Sequence, residues 1–165
     1  MFQELKRQLL SGQTTFTKAL PDALPALRGK ITDEKLIWLS SELQGYQDGL
    51  SFYQTTSHEL PPYRVVPGSL QAYYEDGTME PLNHPYANRP QHFLSAPISW
   101  IEEFSTFSGD VSIVELPELS HFMAAQRAGV VVVTPKSELK RIIATFRNEF
   151  IKLLDQVMQQ HPETV

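Results

Sequence analysis

The feature that most constrains this chain is the spacing of apolar residues near its end. In the stretch "TPKSELKRIIATFRNEFIKLLDQVMQQ", Leu139, Ile142, Ile143, Phe146, Phe150, Leu153, Leu154 and Val157 recur at helical intervals. At 100° per residue they fall in an arc of roughly 120°. The spacing predicts one long helix to about Gln160, with Thr134 as its cap and Pro135 in its first turn. Its apolar face is also a candidate contact surface. Lys136, Lys140 and Arg147 follow one edge of the arc. They read best as a solvated border whose stems cover apolar surface.

Other segments supply shorter elements. Residues 2–10 place Phe2, Leu5 and Leu9 at helical spacing before Gly12. The stretch "TTFTKALPDALPALRGK" has helical composition but carries Pro21 and Pro25. Proline removes a helix hydrogen bond and clashes with the preceding turn, so short helical pieces are expected rather than one rod. "TDEKLIWLSSELQGY" predicts a cleaner helix, capped by Thr32 or Asp33, striped by Leu36, Leu39 and Leu43, and stopped by a left-handed Gly45.

From Pro61 the pattern turns extended. Residues 63–66 read as a strand, Pro67-Gly68 as a turn, residues 70–74 as a second strand and "EDGT" as a hairpin signal. Residues 78–97, with four prolines, read as a long irregular loop of the kind that is often functional. A helix over 98–107, the strand "VSIVEL", a helix from Pro117 closed by Gly129, and the buried strand "VVVVT" follow. The expected fold is α+β in a single domain, residues 1–165: mainly helical, with a small antiparallel β meander and a long C-terminal helix.

Composition narrows the function classes. A net charge of -5 disfavours nucleic-acid binding, because that affinity comes mostly from Lys and Arg on phosphates. With no Cys there are no disulfides, thiolate nucleophiles or Cys-zinc sites. The opening "MFQELKRQLLSG" resembles an amphipathic helix and not a signal peptide, and the longest apolar run, "AGVVVV", is too short to span a bilayer. These features point to a cytoplasmic protein away from membranes.

Reactive constellations are sparse. His58, His84, His92, His121 and His161 share no metal-binding spacing, so no metal or cofactor is expected. His84 and His92, in the loop near Glu80, are weak catalytic candidates that read more simply as surface histidines. "GSL" and "SGD" lack the context of a nucleophile elbow, and no glycine-rich phosphate loop occurs.

The remaining group is Glu42, Tyr63 and Arg64. As chemistry it offers a general base, a proton donor and an anion clamp. As structure it is a lock of Trp38, Glu42, Gly45, Tyr46, Tyr63 and Arg64. Trp38 and Tyr46 would pack on the strand while Arg64 neutralises a half-buried Glu42. Apolar residues interleaved on both elements favour the lock.

The same residues carry a resemblance. "WLSSELQGY", from Trp38 to Tyr46, followed by "LPPYRVVPG", from Leu60 to Gly68, resembles the signature of the AbiTii domain. That family is associated with abortive infection, a bacterial defence against phage. "APISWIEEF" is similar to its short helix after a variable loop, and the last helix to its C-terminal helix, with Arg147-Asn148 as the mid-helix pair. Residues 108–133 match nothing in it, and Pro21 and Pro25 interrupt a helix that the family usually keeps whole.

The resemblance implies phage defence but no reaction, so it assigns no catalytic residue. With no obvious appended effector domain, a stand-alone or N-terminal domain is expected, its partner or effector lying elsewhere. The expected function is an antiphage interaction or oligomerisation module that self-associates or binds a protein partner. The alternatives are a toxin-like enzyme (a nuclease or nucleotide hydrolase) using Glu42, Tyr63 and Arg64 with His84 or His92, and a small acidic immunity or antitoxin protein steered to a basic toxin.

Overall fold

The computed structural model describes residues 1–54 and 60–162. Its helices are α1 (Phe2–Ser11), α2 (Phe16–Leu27), α3 (Asp33–Gln44), α4 (Ile98–Ser105), α5 (Pro117–Ser120) and α6 (Lys136–Gln160). Its strands are β1 (Val65–Pro67), β2 (Ser69–Tyr74), β3 (Met79–Pro81), β4 (Gln91–Phe93), β5 (Val111–Glu115) and β6 (Ala128–Pro135). The fold is α+β and mainly helical, as the sequence predicts. No described helix is long and apolar enough to cross a membrane.

Helices α1 and α4 pack directly on α6, and α2 and α3 reach it through aromatic side chains. Seven of the eight residues in its apolar arc are buried, and Ile143 is half-buried. Phe146 meets Phe16 edge-on at 4.6 Å between ring centroids and Trp38 at 5.4 Å. Such pairs add to the stabilisation from area burial alone. The expected cap is different. Thr134 Oγ1 donates to Pro67 O at 2.7 Å instead, Pro135 occupies the cap position, and Lys136 N–H donates to Asp110 O.

The largest departure is α2, one continuous helix with both prolines inside it. Three features account for this. Pro21 and Pro25 both lie on its exposed face, so the missing N–H groups leave the packed side intact. Phe16, Ala19, Leu20, Ala23, Leu24 and Leu27 form a buried stripe. Finally, Glu102 of α4 reaches the helix start, accepting from Phe16 N–H at 2.8 Å and Thr17 N–H at 2.7 Å. A carboxylate there satisfies orphan donors and meets the positive end of the dipole.

The β structure forms two antiparallel sheets, β1 with β4 and a four-stranded sheet ordered β3-β2-β6-β5. The β2–β3 hairpin lies where "EDGT" places it. Other expectations need correction. Tyr63 and Arg64 belong to a 3-10 turn, Pro62–Arg64, and the strand starts only at Val65. Proline-rich residues 78–97 are not an irregular loop: they contain β3, a 3-10 turn at Pro85–Asn88, and β4. These strands are only three residues long, too short to show period 2. The helix expected from Pro117 to Gly129 is α5 followed by a 3-10 helix, His121–Gln126, which ends at a left-handed Arg127.

Two variants test the account of α2. Pro25→Ala restores a ladder bond on an exposed face and should raise stability by roughly 1–3 kcal/mol. Glu102→Ala removes the borrowed cap and should cost about 1–2 kcal/mol in thermal or denaturant unfolding. Equal, negligible effects would mean that neither the prolines nor Glu102 governs α2.

Candidate functional site

The residues of the "ELQGY…LPPYR" pattern meet in one network. Helix α3 presents Trp38, Glu42 and, just past its end, Tyr46 on one side. Glu42 is fully buried and not half-buried, because the Pro62–Arg64 turn closes over it. Arg64 grips its carboxylate with both edges of the guanidinium, Nε to Oε2 at 2.7 Å and Nη2 to Oε1 at 3.0 Å. Tyr46 and Tyr63 donate their hydroxyls to the same Oε2, at 2.5 and 2.9 Å. Trp38 Nε1–H donates to the Tyr63 oxygen at 3.0 Å.

Arg64 also reaches beyond the carboxylate. Its Nη1 donates to Leu94 O at 2.9 Å and Ala96 O at 2.5 Å, and its guanidinium lies 4.9 Å from the centre of the Tyr46 ring. Four of its five N–H groups are thereby engaged inside the protein. Residues 94–96 are held from both sides, since Leu94 N–H donates to Arg64 O and Tyr46 N–H to Ser95 O. Gly45 permits this approach: its φ is 96°, and a Cβ there would lie 3.1 Å from Ser95 O. Helix α6 is tied to the same turn by Arg141, which donates to Tyr63 O and Val65 O at 3.0 and 2.9 Å. Sequence reasoning passed over Arg141 because a lone Arg beside a helical stripe reads as solvated border.

Electrostatics follow the geometry. Burial is the largest influence on the Arg64 guanidinium and pulls it down, but the charge and hydrogen bonds of Glu42, with Tyr46 and Tyr63 beside them, together leave Arg64 above the ordinary arginine value. Burial, followed by the Glu42 charge, pushes both Tyr46 and Tyr63 well above the ordinary tyrosine range. Both hydroxyls thus stay protonated donors. A cleft of about 950 Å³ lies against the lock, with Trp38, Tyr46, Pro61 and Tyr63 in its wall. The aromatic rings face it, while the Glu42 and Arg64 side chains, 0 % exposed, lie behind them. The arrangement has no accessible base and no free anion clamp.

His84 and His92 lie apart from this network. His92, on β4, is fully buried and not on the surface. Its Nδ1 shares a 2.6 Å hydrogen bond with the Tyr53 hydroxyl, and its Nε2 has no hydrogen-bond partner. Tyr53 stacks on Tyr86 at 4.4 Å, and Arg89 donates to Phe52 O and Tyr53 O. His84 accepts from Tyr86 N–H and stacks on Phe122. His58 lies outside the described residues. Among the described residues, no group of three or more His, Asp or Glu is placed to hold a metal.

Glu118 carries no sequence signal and is the other unusual carboxylate. Its Oε2 accepts from Ser95 Oγ at 2.7 Å, while its buried Oε1 has no hydrogen-bond partner. That oxygen presses on Gly49, where a Cβ would lie only 2.7 Å away. Burial raises the Glu118 pKa above its ordinary 4.5 and lowers that of His92 below its ordinary 6.5.

These features set two tests. Glu42→Gln or Arg64→Met, each leaving a buried charge unpaired, should cost about 3–5 kcal/mol, and the double variant less than their sum. Additive losses would show that the two groups do not act as a pair. For Glu118, the folded state holds its proton more tightly than the unfolded chain. Its contribution is complete below the unfolded value and is lost as pH rises through the folded one. Glu118→Gln should therefore gain in thermal midpoint on the parent as pH rises above the ordinary carboxylate value of 4.5. A pH-independent difference would show that Glu118 titrates normally.

Compared with known protein families, with curated proteins and with solved structures, the chain finds no match, so its site is read from its own geometry.

Proposed function

We propose that this chain is an interaction module of bacterial antiphage defence, of the abortive-infection kind, acting by contact with a protein partner in the cytoplasm. The observation that carries the non-catalytic part is the closure of the lock. Glu42 and Arg64 are 0 % exposed and bonded to each other, so no substrate reaches them. The defence part rests on the resemblance of residues 38–68 to the AbiTii signature. An acidic net charge of -5 supports a protein partner over nucleic acid. The toxin-like alternative needs Glu42 and Arg64 open to a ligand, and of its three lock residues only Tyr63 borders the cleft.

The test is phage challenge of bacteria expressing the chain, with pull-downs from infected cells. Fewer plaques than a vector control and a recovered partner, which includes a second copy, are expected. A chain that gives no protection and recovers no partner sinks the proposal. A Glu42→Gln variant that keeps its thermal midpoint but loses protection would move the reading to catalysis or ligand binding.

A further inference from the structure

The cleft of about 950 Å³ beside the lock has a composition that the lock itself does not require. Glu34 and Trp38 are four apart on α3 and follow one side of the helix. Tyr46 and Asp48 border the cleft beyond the helix end, and Pro61, Pro62 and Tyr63 complete the wall. A helix rises 1.5 Å per residue, which puts about 15 Å between Glu34 and the helix end at Gln44. Carboxylates thus stand near both ends of a trough with aromatic rings between them.

The walls favour a cation. Aromatic faces attract positive charge through their quadrupole. Two such contacts already exist within the chain. Lys35 Nζ lies 5.3 Å from the centre of the Trp38 ring, and the Arg64 guanidinium lies 4.9 Å from that of Tyr46. The lock strengthens the rings, because Tyr46 and Tyr63 both donate their hydroxyls to the Glu42 carboxylate. A phenol bonded to an anion is polarised toward phenolate, which adds electron density to its ring. The charges on the border agree. Glu34, Asp48 and Glu149 stand against Lys35 among the described lining residues. Glu149 is shared with Lys152 at 3.4 Å, but the carboxylates of Glu34 and Asp48 have no hydrogen bond or ion pair among the described residues. An anion would find little here, since Pro61 and Pro62 have no N–H to offer.

We propose that this cleft binds a short basic segment of a partner protein in extended form. An arginine or lysine side chain lies over the aromatic rings, and its basic neighbours reach toward Glu34 and Asp48. The span selects a peptide over a small cation. An extended chain covers about 3.3–3.6 Å per residue, so about five residues bridge the trough. The net charge of -5 steers a basic partner toward this chain. The inference names the partner's chemistry within the interaction reading above and rests on that reading for its use. The preference for a cation stands on the cleft's own residues.

The chain has two tryptophans, so Trp100→Phe leaves Trp38 as a reporter in the cleft itself. Titration with the capped peptide Arg-Gly-Arg-Gly-Arg should change its emission saturably, and Gln-Gly-Gln-Gly-Gln should not. Glu34→Gln combined with Asp48→Asn should weaken binding about three- to tenfold, as two exposed ion pairs would. Lys35→Ala should tighten it, because it removes a competing cation. An equal response to the glutamine peptide, no saturation with the arginine peptide, or weaker binding by Lys35→Ala overturns the proposal. Arginine amide binding as tightly as the peptide also overturns it and assigns the cleft to a small cation. A response lost wherever light scattering finds a dimer overturns it in favour of a second copy. Should the carboxylate variant unfold, the two peptides on the Trp100→Phe background still decide. Peptide binding without phage protection leaves the cleft standing and removes the defence role. Protection by a protein that ignores the peptide does the reverse.

Discussion

The packing of this protein depends on one buried ion pair. Taking a carboxylate and a guanidinium out of water costs several kcal/mol each, and mutual attraction offsets this only when the surrounding bonds are good. Here they are. Glu42 accepts from Arg64 and from two tyrosines, and Arg64 fills its outer N–H positions with Leu94 O and Ala96 O. The pair thereby fixes the relative placement of α3, the Pro62–Arg64 turn and the approach to α4. Arg141 ties α6 to the same turn. A buried network satisfied to this degree specifies one arrangement more than it adds net stability.

The second polar cluster is less complete. Tyr53 and His92 satisfy each other, yet His92 Nε2 and Glu118 Oε1 are buried without partners. Such groups keep most of their desolvation cost. They also pull stability in opposite pH directions. Glu118 favours the folded state when protonated and His92 when neutral, so the support of Glu118 fades as pH rises above its ordinary 4.5 and that of His92 fades as pH falls below its ordinary 6.5. The lock has no comparable weakness, since its tyrosines are pushed up and its arginine stays charged.

How much of this was legible in the sequence varied with the physical signal. The stripe of α6 was plain, because eight apolar residues on one period leave little alternative. The members of the lock were also legible, because Trp38, Glu42 and Tyr46 share a helix face and sit near Tyr63 and Arg64 in the chain. Its depth was not, since the burial of Glu42 depends on residues 94–96, thirty positions beyond the turn. Pro21 and Pro25 misled because local propensity cannot report a cap borrowed from Glu102. His92 misled because a histidine among prolines reads as surface until β4 places it opposite Val66.

The far side of the lock has a consequence for how such a protein would drift. Arg64 reads residues 94 and 96 only through their carbonyls, Tyr46 reads residue 95 the same way, and Arg141 does so at Tyr63 and Val65. Main-chain oxygen is present whatever the side chain. Half of the joint is thus indifferent to residue type, while the other half tolerates almost no change. Related chains would then share a short, recognisable string at 38–64, whereas at 94–96 burial in the core, and not the lock, restricts the side chain, even though the two segments form a single mechanical unit.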